Sequence, residues 1–111
     1  MRAYLIDELN STDMQRLLTC LEAKTVKASV EDMYWLEIPD NLLSTEQREH
    51  AAQCGSFVCS LETGPNWLKV ELLIRGRGKL RCSCIAYADP GQRDWILDQV
   101  DAMLAELAIP V

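Results

Sequence analysis

The spacing of apolar and polar positions along the chain changes from a helical period to a strand period and back, and each change marks a predicted element. Helical spacing after a capping residue predicts helices over about residues 11–24, 44–54 and 90–109. The second helix starts at a capping-box pair, Ser44 with Gln47, and the third starts at the cap Asp89 with Gln92 three residues later. The first and last of these helices each have an apolar face that can pack against a sheet.

Strand spacing predicts five strands, near residues 1–6, 34–38, 56–63, 67–75 and 79–88. The turns at 64–65 and 76–78 contain glycine and would join the last three strands as hairpins. The predicted order is therefore β-α-β-α-β-β-β-α. We expect a single α+β domain over residues 1–111, with a mixed, mainly antiparallel sheet and helices packed on it.

The register of the last three strands determines where the cysteines fall. A three-residue loop at 76–78 gives the usual short hairpin, and strand alternation then places Cys59, Cys82 and Cys84 on one face of the sheet. We expect all three to be small, reduced core residues. The predicted cross-strand pairs are Ile74 with Leu80, Leu72 with Cys82, Val70 with Cys84, and Cys59 with Val70.

A metal or thiol site is the alternative interpretation of the five cysteines and one histidine. His50 and Cys54 are four residues apart on the predicted second helix, so their side chains share a face. A zinc site needs at least one further protein ligand, and the sequence does not single it out among Cys59, Cys82 and Cys84. The favoured prediction has no metal and no cofactor; the alternative is a thiol- or metal-dependent regulatory protein using these five residues.

Charge is distributed unevenly along the chain. Seventeen acidic residues against 11 basic ones give a net charge of −6. Residues 63–88 run against this balance with five bases and one acid, and Arg75, Arg77, Lys79 and Arg81 crowd one turn. The acidic total argues against nucleic-acid binding, which needs a broad basic surface. The basic turn is compatible with a protein partner.

Large side chains lie opposite the cysteines in the predicted register. Trp67 faces Tyr87, Leu73 faces Arg81, and Trp35 extends the same face on an earlier strand. Either a helix of the same chain or a partner must cover such a face. The leading hypothesis is a non-catalytic protein-binding domain that acts as a homodimer. Its candidate partner-binding residues are Trp35, Trp67, Leu73, Arg75, Arg77, Lys79, Arg81 and Tyr87.

Common catalytic and membrane signals are missing from the sequence. The chain has no phosphate-binding loop, nucleophile elbow or metalloprotease motif, and an uncharacterised enzyme is the third hypothesis. No apolar run approaches the ~20 residues of a membrane span, and the first residues lack the apolar stretch of a signal peptide. We therefore expect a cytoplasmic protein without a membrane partner.

Overall fold

The structure is a computed structural model that describes residues 2–78 and 81–111. Its helices are α1 (Ser11–Lys24), α2 (Thr45–Cys54) and α3 (Pro90–Glu106), and a 3₁₀ turn spans Asp40–Leu42. Its strands are β1 (Ala3–Ile6), β2 (Val26–Lys27), β3 (Met33–Glu37), β4 (Phe57–Thr63), β5 (Leu68–Glu71), β6 (Leu73–Gly76) and β7 (Ala86–Tyr87). The predicted α+β class, with helices packed on a sheet, is confirmed.

Each helix begins where its sequence offers a cap. The Asn10 side chain accepts a hydrogen bond from a backbone N–H in the first turn of α1. At the start of α2 and of α3, a glutamine three residues after the cap bonds back to the cap's own N–H, which completes a capping box. These glutamines are Gln47 and Gln92, and both are buried.

The strands form an antiparallel sheet in the order β1-β5-β4-β3-β2, and β6 pairs with both β4 and β7. The predicted strand over 67–75 is divided, because Leu72 interrupts it between β5 and β6. The Leu72 N–H bonds to the Arg2 carbonyl oxygen at 2.9 Å instead of extending the β4 pairing. Strand β2 lies in a segment predicted to be a connection.

The register of the last hairpin differs from the prediction, and this difference controls the position of two cysteines. Ile74 pairs with Ala86, so its predicted pairing with Leu80 is wrong; Leu80 itself lies outside the described residues. Strand β7 is consequently only two residues long. Cys82 and Cys84 therefore lie in the connection between β6 and β7, not in a strand.

A smaller register difference affects Cys59. Val70 pairs with Leu61, so the predicted pairing of Val70 with Cys59 is wrong. The slip is two residues along β4, which leaves every side chain on its predicted face. The hydrophobic pattern is satisfied equally in both registers, and the turn before Trp67 selects between them.

The core lies between one face of the sheet, called here the inner face, and the helices. Tyr34 and Leu36 of β3 point into it, while the alternating Met33 and Trp35 lie half-buried on the opposite, outer face. The helices contribute buried side chains to this same cluster: Met14, Leu17, Leu21, Cys54, Ile96, Val100, Met103 and Leu104.

Candidate metal centre

Four side chains that can bind a metal converge at the C-terminal end of α2. They are His50, Cys54, Cys82 and Cys84, and one ligand atom from each lies within 4.8 Å of all the others. His50 Nδ1 is 2.9 Å from Cys82 Sγ, and Cys54 Sγ is 3.6 Å from Cys84 Sγ. No other group of three or more potential ligands is found within residues 2–78 and 81–111.

Helix α2 supplies two of the four ligands from one side. His50 and Cys54 are one helical turn apart, so their side chains project in the same direction, as predicted. Cys54 is the last helical residue, and Gly55 then takes the positive φ of 75° that turns the chain away. The helix thereby ends with its final side chain buried and facing the core.

A tight turn in the connection between β6 and β7 supplies the other two ligands. The Ile85 N–H bonds to the Cys82 carbonyl oxygen at 3.2 Å, which closes the turn. Within it, the Cys84 N–H donates to Cys82 Sγ at 3.5 Å. Because the turn bends the chain between Cys82 and Cys84, their sulfurs approach one site. In an extended strand the two side chains would lie too far apart to do so.

Two glycines let this connection approach the end of α2 closely. A Cβ atom on Gly76 would lie 2.6 Å from the Cys54 carbonyl oxygen and 2.7 Å from Cys54 Cβ. The Gly78 N–H donates to the same carbonyl oxygen at 2.6 Å. The described part of the segment predicted as a simple hairpin tip is therefore packed against Cys54, a candidate metal ligand.

A buried amide network holds the backbone of Cys84 against α2 and links α2 to α3. Gln47 Nε2 donates to the Cys84 carbonyl oxygen at 3.3 Å, and Gln47 Oε1 accepts from Gln92 Nε2 at 3.0 Å. Gln92 Nε2 also donates to the Leu42 carbonyl oxygen at 2.9 Å. The sequence predicted both glutamines only as helix caps, and nothing in their spacing indicates that they meet.

The two cysteines of the turn differ in their affinity for protons. The pKa of the Cys82 thiol is lowered to about 6, chiefly because the Cys84 backbone N–H donates to its sulfur, with help from the side chains of Cys84, Cys54 and His50. The pKa of Cys84 is raised to about 12, first by burial and then by its hydrogen bond with Cys82. These shifts favour a thiolate at Cys82 and a neutral thiol at Cys84 when no metal is bound.

The donor set and its dimensions suit a zinc ion. Tetrahedral zinc with three sulfurs and one imidazole nitrogen has ligand–ligand separations of about 3.5 to 3.8 Å. The separations here, from 2.9 Å upward and none above 4.8 Å, lie around those values. Calcium and magnesium prefer oxygen ligands, which this group lacks.

Cys59, a candidate ligand in the sequence, lies outside this group. It is fully buried in β4, as a core residue is expected to be, and burial raises the pKa of its thiol to about 12. The alternative set of five ligands is therefore corrected to four. Cys84 is also buried as predicted, although it reaches the core from a turn and not from the predicted strand. The prediction that Cys82 is a core residue is wrong, because Cys82 is only half-buried.

The candidate partner-binding residues are only partly brought together. Leu73 and Tyr87 are directly paired on the outer face, and Arg75 follows Leu73 on the same face. The predicted partners Trp67 for Tyr87 and Arg81 for Leu73 are wrong, because β7 pairs in a different register.

The two candidate tryptophans lie apart from this pair. Trp67 packs over Gly64 in the turn before β5, where a Cβ on Gly64 would lie 2.1 Å from the indole ring. Trp35 pairs with Ser60 on β4. Arg77 and Arg81 are exposed in the connection between β6 and β7, whereas Lys79 lies outside the described residues.

Comparison with protein family models, curated proteins and solved structures finds no match to this chain. None of the helices described is long and apolar enough to cross a membrane.

Two sequence signals, taken together, could have indicated this site. They are a histidine and a cysteine four residues apart on a helix, and a later Cys-x-Cys segment flanked by glycine and arginine. Each half alone is a weak metal signal.

Proposed function

We propose that this protein is a non-catalytic zinc-binding domain, in which one zinc ion is held by His50, Cys54, Cys82 and Cys84. The observation that supports the proposal is the convergence of these four ligand atoms within 4.8 Å. Three thiolates and one imidazole form a common structural zinc set. The proposal develops the alternative hypothesis from sequence, a thiol- or metal-dependent regulatory protein, with Cys59 removed from its five candidate residues.

A structural role follows from the number of ligands. Catalytic zinc sites use three protein ligands and keep the fourth position for water or substrate, whereas structural sites are closed by four. Four protein ligands are available here, so no position remains for a reacting group. The zinc instead fastens an irregular connection to α2, a helix whose buried side chains are Gln47 and Cys54.

Metal content tests the proposal directly. Protein purified under reducing conditions without chelator is expected to contain one zinc per chain, by native mass spectrometry and elemental analysis. Cobalt added to the metal-free protein should give the absorption bands of a tetrahedral thiolate site. Removal of zinc should lower the unfolding temperature, because metal-binding free energy contributes to folding.

Single cysteine variants identify the ligands. Cys82→Ser and Cys84→Ser are expected to lose stoichiometric zinc, while Cys20→Ser, on the half-buried side of α1, should retain it. Cys59→Ala tests the ligand that the sequence suggested and the geometry excludes. Metal-free wild-type protein, or loss of zinc from Cys59→Ala alone, would overturn the assignment.

Homodimer formation stays a prediction. The native mass spectrum that counts zinc also counts subunits. It therefore tests both hypotheses in one measurement.

A further inference from the structure

A cationic surface lies beside the proposed zinc site. It comprises four arginines and two apolar residues, and is called here the basic surface: Arg2, Leu73, Arg75, Arg77, Arg81 and Tyr87. Residues 72–88 contain no aspartate or glutamate, although the chain as a whole is acidic. The sign of the charge therefore reverses locally in this segment.

The arginines of the basic surface have no acidic partner within the described part of the chain. The ion pairs found there join Arg16 to Asp13, Lys24 to Glu106 and Arg93 to Asp94. Three acids lie in the neighbourhood, but none of them forms an ion pair with these arginines. Glu46 accepts from Ser83, and Glu71, at the end of β5, accepts from Ser60. Glu37 is separated from Arg75 by the intervening strand β4, about 10 Å away.

Aromatic and aliphatic area accompanies the charge. Tyr87 is 42% exposed and lies directly opposite Leu73. The Arg2 guanidinium lies 4.8 Å from the centre of the Tyr87 ring, which holds a cation over an exposed aromatic face. Tyrosine and arginine are the residue types that dominate binding energy at protein interfaces.

The described backbone on either side of residues 79–80 is held in place, although much of it is irregular. The Arg77 N–H bonds to the Ser56 carbonyl oxygen at 2.9 Å, and the Gly78 N–H bonds to that of Cys54. After residues 79–80, Cys82 and Cys84 belong to the group of four residues proposed to bind zinc. A site whose backbone is held in advance loses less conformational entropy when it binds.

We propose that the basic surface binds a carboxylate-rich segment of a partner protein and that zinc keeps it in its binding conformation. The proposal rests on the zinc site for that conformation. Arginine pairs with carboxylates through two parallel hydrogen bonds, and the Tyr87–Leu73 patch supplies apolar contact. Nucleic acid fits less well, because a net charge of −6 opposes a long polyanion and the surface offers few phosphate contacts.

Fluorescence anisotropy with a labelled polyglutamate peptide tests this proposal. Zinc-loaded protein should bind the peptide, and Arg77→Glu with Arg81→Glu should weaken binding by at least about tenfold, or 1.4 kcal/mol. The control, Lys69→Glu with Arg93→Glu, makes the same change in net charge on β5 and α3 and should bind like the wild type. Binding should weaken with added salt.

The outcomes separate this proposal from the zinc site. If both double variants bind one zinc and bind the peptide equally, the basic surface is refuted while the zinc site stands. Stronger binding to a single-stranded oligonucleotide of matched length would also refute it. If the wild type is a dimer that dissociates only in the double variant Arg77→Glu with Arg81→Glu, the basic surface binds a second copy of this chain. That result would overturn the proposal of a separate partner protein. If the wild type contains no zinc but binds peptide through these arginines, only the zinc requirement fails.

Discussion

Replacing Gln47 with leucine should both destabilise the protein and weaken its proposed zinc site, although Gln47 is not one of the proposed ligands. The side chain is 2% exposed and makes three hydrogen bonds at 3.0 to 3.3 Å, to the Ser44 N–H, Gln92 Nε2 and the Cys84 carbonyl oxygen. Leucine has similar volume but can make none of them. The change therefore removes polar pairing without opening a large cavity.

The size of the effect follows from these three bonds. A typical internal hydrogen bond contributes about 1 kcal/mol net, so Gln47→Leu should lower the free energy of unfolding by about 3 kcal/mol. Domains of this kind are stable by only about 5 to 15 kcal/mol in total. The loss would be visible as a large shift in the urea midpoint of the zinc-loaded protein.

Zinc affinity gives a readout that general destabilisation does not. Gln47 fixes the backbone of Cys84, and groups that orient metal ligands typically change metal affinity by about 10- to 100-fold when removed. Competition with a chelator, measured where the variant is fully folded, should show a loss in that range. A double-mutant cycle with Gln92→Leu should show that the two substitutions are not additive, because each removes the same bond.

Gln53→Leu is the matched control, since Gln53 is exposed on the same helix. It should change stability by no more than about 0.5 kcal/mol and leave zinc affinity unaltered. If Gln47→Leu costs less than about 1 kcal/mol and binds zinc as the wild type does, the amide network does not position Cys84.

Three further substitutions or labelling experiments test other parts of the structure. Gly76→Ala should lower the free energy of unfolding, measured by chemical unfolding, by about 1–3 kcal/mol and should weaken zinc binding, because its Cβ would lie 2.6 Å from the Cys54 carbonyl oxygen. In the control Gly91→Ala, the Cβ has only an ordinary 3.5 Å contact, and the free energy of unfolding should not fall. Burial raises the pKa of the Cys59 thiol to about 12, so Cys59 stays a neutral thiol and iodoacetamide should not label it in the folded protein up to about pH 9. Labelling is measured by mass spectrometry, and a rate as fast as in urea would contradict the burial of Cys59. Asn10→Ala should cost about 1 kcal/mol in thermal unfolding by removing the α1 cap, and an unchanged midpoint would argue against that cap.

Local features of the fold were predictable because they depend on residues close in sequence. A capping box needs a polar cap and a glutamine three residues later, and both predicted boxes are present. The apolar faces of α1 and α3 follow from spacing alone and are buried as expected. These signals do not depend on which strands pair.

The hairpin register was not predictable in the same way. Leu80, Cys82, Cys84 and Ala86 are alternate residues, so any of them could pair with Ile74 without moving an apolar side chain to the wrong face. The prediction chose the shortest loop, whereas the structure pairs Ala86 and uses the residues before it to reach α2. The metal group depends on that choice, which is why its two halves were recognised separately but not joined.

The composition of α2 has a consequence for how the protein opens and closes. Its buried side chains are Gln47 and Cys54, so the helix has almost no apolar anchor of its own. Among the core side chains that the described helices supply, Cys54 alone comes from α2. Without metal, α2 and the connection after β6 should therefore open as one local unit, and their backbone amides should exchange with deuterium far sooner than those of β4. The supply of zinc would then set how often this part of the molecule is closed, while the remainder stays folded.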